Sequence, residues 1–187
     1  MKGRFSLPAS ILLFGVAATV TWAPSIAVAQ TPEAERNATR EQLRSFLATA
    51  GARKDVNIEF RQSDKNPWNF VGVAKDNLAN SDMLEVVVGL SDNRTLAVIV
   101  YPHYHGGYIN LGKAADGRGL ANKLLNLNDH NFFYWGADDS GDVFTCYNFT
   151  LESGFPDQSL LVAMTSIRAQ DQFIAALKPY IDGPAAK

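Results

Sequence analysis

Two histidines separated by one residue, His103 and His105, are the first candidates for metal chemistry in this sequence. On an extended segment, both would project from one face about 6 to 7 Å apart, near enough to share a metal ion. The further ligands that such a site needs could come from His130, Asp138, Asp139 and Asp142. Pro102 before the pair and Gly106-Gly107 after it favour a different interpretation, an edge strand that enters a turn.

The acidic run Asp138-Asp139-Ser140-Gly141-Asp142 carries oxygens that suit calcium. An EF-hand loop that began at Asp138 would need glycine at its sixth position and glutamate at its twelfth. Val143 and Phe149 occupy those positions. The run therefore predicts a plain hairpin turn.

Nothing near the single cysteine, Cys146, would activate it as a nucleophile, and its apolar surroundings predict a strand that buries it. The sequence also lacks a Gly-x-Ser-x-Gly elbow, a glycine-rich phosphate loop and a His-Glu-x-x-His motif. We therefore expect no catalytic residues and no cofactor. A hydrolase assembled from distant residues remains an alternative, because such triads leave no local motif.

The N-terminus has the pattern of a secretory signal peptide. Lys2 and Arg4 precede an uncharged stretch whose centre, residues 11–20, is continuously apolar or small. The small residues around Val28 predict cleavage between Ala29 and Gln30. An uncleaved anchor is disfavoured because prolines at 8 and 24 shorten the usable helix. We expect a periplasmic or secreted bacterial protein with no stable membrane insertion after cleavage.

The chain has 187 residues, of which 47% are apolar and 11% aromatic, and its formal charge is -2. This composition excludes a disordered chain, and the charge gives no basic surface for nucleic acid. At roughly 150 residues per domain, the length predicts one domain. The expected organisation is a signal peptide over 1–29, a flexible lead over 30–38, one domain over 39–181 and a tail over 182–187.

Hydrophobic periodicity predicts an α+β fold with an antiparallel sheet and helices packed on one of its faces. A first helix is expected over 40–50, with Thr39 as N-cap and Gly51 in a left-handed conformation. Apolar leucines predict a short second helix, and a long last helix should run from Pro156 to Pro179. The predicted strands lie at 56–60, 68–73, 83–90, 95–101, 108–111, 132–135 and 143–150.

The segment from Leu124 to Val143, LLNLNDHNFFYWGADDSGDV, resembles the helix-to-hairpin signature of the YbjN-like family, also described as bacterial sensory transduction regulators. The resemblance extends to the first helix, to Leu151 with Gly154, and to the late Pro179. It implies a fold like the type III secretion chaperones, α-β-β-β-α-β-β-α and often dimeric, here with extra β-segments between Val56 and Leu111. Asn128 and Asn131 flank the helix-to-strand junction, where asparagine side chains cap free backbone groups.

The sequence thus favours an exported, non-enzymatic domain, chaperone-like or regulatory, that binds another protein. We also expect a homodimer, because apolar residues on both faces of the strands need cover. Trp135 and Tyr147 are candidate contact residues. The alternative is a periplasmic protein that binds a metal or a small ligand through His103 and His105.

Overall fold

The computed structural model describes residues 32–183, so the predicted signal peptide and its cleavage site at Ala29 and Gln30 lie outside the described residues. The helices are α1 (Pro32–Gly51), α2 (Gly117–Leu127), α3 (Asp157–Thr165) and α4 (Asp171–Asp182). The strands are β1 (Phe60–Gln62), β2 (Asn69–Ala74), β3 (Met83–Leu90), β4 (Thr95–Tyr104), β5 (Gly107–Tyr108), β6 (Tyr134–Ala137) and β7 (Val143–Thr150). Short 3-10 turns occupy Asn128–His130 and Arg168–Gln170.

The described strands form one antiparallel sheet in the order β1-β2-β3-β4-β7-β6, with β5 paired to the end of β4. Strands β3 and β4 form the predicted central hairpin, in which Val87 lies opposite Ile99. The second predicted hairpin, β6 with β7, is also present. This arrangement confirms the α+β class and the antiparallel pairing expected from the sequence.

The hydrophobic core lies between one face of the sheet and the four helices. Alternate residues of β3 and β4 point into it, among them Val86 and Val98, and both are fully buried. Helices α1 and α3 cover one part of this face, with Leu43 and Leu160 in the same cluster. Helices α2 and α4 cover the part around β6 and the start of β7. The helices therefore pack on one face, as predicted.

Helix α1 begins earlier than its periodicity predicts, at Pro32 rather than at residue 40. Residues 32–38, expected as a flexible lead, are helical. Pro32 suits a first helical position, and Glu33 and Glu35 in the first turn interact favourably with the helix dipole. Thr39, expected as N-cap, instead lies inside the helix and donates to the carbonyl oxygen of Glu35.

The first strand is shorter than predicted, because regular pairing begins only at Phe60. Val56 and Ile58 are buried as their alternation suggests, but they lie in the connection after α1. Asn57 between them has a positive φ of 44°, which interrupts an extended strand.

The predicted long C-terminal helix is two helices. The hydroxyls of Thr165 and Ser166 both donate to the carbonyl oxygen of Val162, so they compete with the helical hydrogen bonds where α3 ends. Pro179, expected to end the helix, lies inside α4, which continues to Asp182. Proline removes one helical hydrogen bond but keeps a helical φ, so a last turn can follow it. Among the described residues, no helix combines the length and apolar character needed to cross a membrane.

Candidate functional site: the open sheet face

The sheet has a second face, opposite the helices, which we call the open sheet face. Its residues alternate with those that point into the core, and each strand of the central hairpin supplies several of them. Its apolar members include Val71, Val73, Val87, Ile99, Tyr101, Tyr108, Tyr134 and Phe144, and Cys146 lies among them. These residues are half-buried to exposed, apart from the buried Cys146, and they belong to neither core cluster.

The composition of this face is unusual for a sheet surface that meets water. Antiparallel sheets with one solvated face normally alternate apolar and polar residues. Here Val87 and Ile99, at the centre of the face, are apolar although they point away from the core. On the described strands, the charged residues of this face are Arg61 on the edge strand β1, Glu85, and the titratable His103.

Aromatic rings form a continuous row across one half of the open sheet face. Tyr101 contacts Tyr108 at a centroid distance of 5.7 Å and Phe144 at 5.9 Å. Phe144 in turn contacts Tyr134 at 6.3 Å, and Tyr134 is 41% exposed. The other half, on β2 and β3, carries the smaller aliphatic side chains. Such a row offers large, rigid apolar area with hydroxyl groups at its edges.

His103 is at the end of β4, where Tyr108 covers it. Only 7% of the residue is exposed, and its ring packs at a tilt against the ring of Tyr108, with 4.2 Å between the ring centroids. The Nε2 atom lies 3.5 Å from a carboxylate oxygen of Glu85, and the same oxygen accepts a hydrogen bond from the Tyr108 hydroxyl. Burial and this hydrogen bond to Glu85 raise the pKa of Tyr108 to about 12. Tyr108 and Glu85 are therefore hydrogen-bonded to each other, whereas the buried Nε2 of His103 lies near Glu85 without a hydrogen-bond partner.

His105 lies in the following turn with a φ of 55°, so the strand geometry that would align it with His103 has already ended. Its Nε2 is 3.1 Å from a carboxylate oxygen of Asp182, at the end of α4. The two histidines therefore engage different carboxylates. The side chain of His130 lies outside the described part of the structure, and among the described side chains no group of three or more from histidine, cysteine, aspartate and glutamate is placed to hold a metal ion.

The acidic run from Asp138 to Asp142 forms the predicted hairpin turn between β6 and β7. One carboxylate oxygen of Asp138 accepts hydrogen bonds from the backbone N–H groups of Ser140 and Asp142. Gly141 supplies the positive φ of 81° that the turn requires. The carboxylate of Asp138 is thus used by the turn itself.

The two candidate contact residues from the sequence point the wrong way for a surface role. Trp135 is only 2% exposed, in the core cluster beneath α2 and α4. Tyr147 packs against the other core cluster, half-buried beside Phe133 and Phe149. Both occupy core-facing positions of their strands. The aromatic residue next to Trp135, Tyr134, is the one that lies on the open sheet face.

Cys146 is buried as predicted, and this burial raises the pKa of its thiol. The two asparagines also act as expected. The side-chain amide of Asn128 donates to the carbonyl oxygen of Trp135 and accepts from its N–H. Asn131 accepts from the N–H of Phe133 and contacts Gln170. Together they fix the junction between α2 and β6.

A cavity of about 670 Å³ lies between the first half of α1, the β3–β4 turn and the segment after β7. Four of its charged lining groups form two ion pairs, Arg36 with Asp92 and Arg94 with Glu35. The guanidinium of Arg36 also stacks 3.8 Å above the Trp68 ring. These contacts join α1 to the central hairpin.

Sequence reasoning identified apolar residues on both strand faces but did not identify which outward-facing residues form the surface. The available signal was the apolar run in β3 and β4, MLEVVVGL and TLAVIVY, where strict alternation is absent. Such runs are typical of strands that are covered on both faces.

Comparisons with known proteins found one kind of similarity. No protein-family model matches this chain, and no curated protein matches it. Among solved structures, the crystal structure of YbjN from E. coli, described there as a candidate transcription regulator, is similar over 74% of this chain and 89% of that one. The sequence identity is 14% and the TM-score is 0.46. At these values the similarity assigns no function.

Proposed function

We propose that this chain is an exported, non-enzymatic protein-binding domain, chaperone-like or regulatory, whose contact surface is the open sheet face. The observation that carries the proposal is the apolar centre of that face, at Val87 and Ile99, on the side of the sheet without helices. Contiguous apolar patches of this kind mark interaction sites on soluble proteins.

The composition of the face agrees with the composition of known interfaces. Interface cores are enriched in aromatic residues and depleted in charged ones, and the rims are polar. The open sheet face has its tyrosines and Phe144 in one half and aliphatic residues at its centre. The polar side chains of Asn69 and Asn148 lie at the end of the face nearest the β3–β4 turn. Asn69 is opposite Gly89, and Asn148 is opposite Ala97.

The chemistry of the titratable groups around the face supports binding over catalysis. Glu85 accepts the hydrogen bond of Tyr108 and lies beside His103, so its carboxylate is already engaged. The thiol of Cys146 lies beneath the surface with a raised pKa, which disfavours the reactive thiolate.

Site-specific photo-crosslinking in the producing cells tests this proposal. A benzophenone amino acid at position 99 should give protein adducts, because Ile99 is central on the face. The matched control is position 162 on α3, where Val162 is 58% exposed but belongs to the helical layer. Adducts at 162 equal to those at 99, or none at 99, would contradict the proposed surface.

A further inference from the structure

We propose that His103, Glu85 and Tyr108 form a pH-sensitive switch at one end of the open sheet face, in which protonation of His103 holds the Tyr108 ring in place over it. The consequence for binding rests on the proposed function, since Tyr108 is one end of the aromatic row on that face. The switch itself is a property of the isolated chain. Three features support it: a buried nitrogen without a partner, the carboxylate that faces this nitrogen, and the short strand that carries Tyr108.

The imidazole of His103 is buried with one of its nitrogens unsatisfied. The residue is 7% exposed, and its Nε2 is removed from solvent without a hydrogen-bond partner. A buried polar atom in this condition destabilises the arrangement that buries it. Protonation makes both ring nitrogens donors. The Nε2–H group then faces Glu85, whose Oε2 lies 3.5 Å away.

The groups packed against His103 suit a cation. A buried charge needs an opposite charge beside it, and Glu85 on β3 supplies one at ion-pair distance. The ring of Tyr108 on β5 adds a cation–π attraction, since its centroid is 4.2 Å from that of the imidazole.

Other titratable groups surround the switch from the neighbouring elements. They are Tyr101 on β4, Asp82 before β3, Asp142 in the β6–β7 turn, Lys113 beside the cleft at Tyr108, and His105 in the turn after β4. The carboxylate of Asp82 accepts a hydrogen bond from the N–H of Gly106, and His105 engages Asp182. Both Asp82 and Asp142 carry the charge opposite to an imidazolium.

The side chain of Tyr108 can move away from His103 without disturbing the core. Strand β5 has only two residues and pairs with the end of β4. Before Tyr108, no atom lies within 4 Å of a Cβ added at Gly106 or Gly107, and the φ of Gly106 is 78°. Glycine gives this turn wide conformational freedom. Tyr108 itself is 41% exposed, and a cleft of about 460 Å³ lies beside it.

The position of Tyr108 is therefore linked to the protonation of His103. When the imidazole is neutral, its Nε2 gains a partner when Tyr108 moves aside and admits water. When the imidazole is charged, the carboxylate of Glu85 and the ring of Tyr108 both stabilise the closed arrangement. The pKa of Tyr108, raised to about 12, keeps its hydroxyl a donor to Glu85 in both states. Since histidine ordinarily titrates between about pH 5 and 8, acid should complete the aromatic row.

NMR spectroscopy on protein purified from cells that express the full-length chain tests the inference. Imidazole ¹⁵N shifts follow the protonation of His103. Cross-peaks between the ring protons of Tyr101 and Tyr108, whose centroids are 5.7 Å apart, follow the position of Tyr108. From pH 8 to pH 5, we expect His103 to take up a proton and these cross-peaks to strengthen. In Glu85→Gln, His103 should take up its proton at least about one pH unit lower, because the opposite charge is gone.

His105 is the matched control, because its ring engages Asp182 rather than Glu85. Its titration should be the same in Glu85→Gln as in the unchanged protein. His105→Gln should retain the pH dependence of the cross-peaks between Tyr101 and Tyr108, and His103→Gln should lose it. Circular dichroism checks that each variant is folded.

Three results would overturn the inference. They are a His103 that stays neutral down to pH 5, cross-peaks that do not respond to pH in the unchanged protein, and an unaltered His103 titration in folded Glu85→Gln. If the variants do not fold, the first two measurements on the unchanged protein still decide. The crosslinks at position 99 test the contact surface separately. Adducts there without titration of His103 would retain the binding function and exclude the switch, whereas a working switch without adducts would exclude the contact surface alone.

Discussion

The carboxylate of Asp171, at the start of α4, holds the loop before β3. It accepts hydrogen bonds from the backbone N–H groups of Ala79, Asn80 and Ser81, and from the Ser81 hydroxyl. Burial raises the pKa of Asp171, but these hydrogen bonds outweigh burial, so its pKa lies below its ordinary value. The residue is only 5% exposed.

Replacing this carboxylate by an amide should destabilise the fold. Asp171→Asn directs N–H groups at backbone N–H donors, and we expect a loss of ~1–3 kcal/mol in the free energy of unfolding. Because the folded-state pKa is lowered, the stabilisation is present above the unfolded pKa of about 4 and is lost as the pH falls through the folded-state value. Urea unfolding from pH 7 downwards should therefore show a weaker acid dependence in the variant.

Asp139→Asn, at an exposed position in the β6–β7 turn, is the control for Asp171→Asn and should change the unfolding free energy little. Equal stabilities of the Asp171→Asn variant and the unchanged protein at pH 7 would show that the hydrogen bonds of Asp171 contribute nothing.

Asn128 satisfies both backbone groups of Trp135 with one side chain. Asn128→Ala leaves these groups without their partner at a partly buried position, so we expect a loss of ~1–3 kcal/mol in the free energy of unfolding. Urea unfolding measures it. Asn93→Ala, in the exposed β3–β4 turn, is the control. A variant at 128 as stable as that control would contradict the role described.

The roles of Asn128 and Cys146 could be predicted because their signals are local, an asparagine at a helix-to-strand junction and a cysteine within an apolar strand. The role of Asp171 could not. Its partners lie 90 to 92 residues away in the chain, and only the folded topology brings them together. For the same reason, the sequence suggested that His103 and His105 act together. In the fold, His103 lies beside Glu85 and His105 lies beside Asp182.

At the level of elements, Gly51 joins α1 to the segment that follows it. It was expected to end the helix in a left-handed conformation, but its φ is not positive and it lies within α1. Its carbonyl oxygen accepts from the N–H of Ile58. A Cβ at this position would lie 2.2 Å from the carbonyl oxygen of Ile58. Glycine is needed here for close approach.

Gly51→Ala should therefore force the segment after α1 away from the helix and lower the free energy of unfolding by ~1–3 kcal/mol, the usual cost of overpacking. Gly107→Ala is the matched control, since no atom lies within 4 Å of an added Cβ there and the φ is not positive. Thermal unfolding of both variants measures the difference. Similar melting temperatures for the two would contradict the close-approach argument.

Elements with local signals were predicted well. The hairpin of β3 and β4 has apolar strands around a polar turn, and its bounds agree with the structure within three residues. The boundaries of α1 and the division of α3 from α4 were wrong, because both depend on more than hydrophobic period. In the first case Pro32 and its acidic first turn extend the helix, and in the second Thr165 and Ser166 interrupt it.

For the molecule as a whole, the export prediction lies outside the described residues and can be tested directly. N-terminal sequencing of the protein from the periplasmic or external fraction should begin at Gln30, since signal peptidase cleaves after small residues such as Ala29. Ala29→Lys should block processing and leave the longer chain with the membrane. A first residue far from Gln30 would contradict the predicted site.

Periodicity identifies strands with two apolar faces, but it does not say which face the helices cover. That depends on how α1 to α4 pack together, which fixes Val86 and Val98 in the core and leaves Val87 and Ile99 outside. Trp135 and Tyr134 were indistinguishable by composition for the same reason. Because neighbouring residues of a strand point to opposite faces, Trp135 lies in the core and Tyr134 lies on the open sheet face.

The hydrogen bonds of Asn128 also have a consequence for how copies of this chain can assemble. Strand β6 is a sheet edge, and unpaired edges can add further strands without limit, as in fibrils. The amide of Asn128 occupies the outward N–H and carbonyl of Trp135, as a neighbouring strand would. The opposite edge, β1, has only three residues and carries Arg61. Both edges of the sheet are therefore unsuited to the addition of further strands.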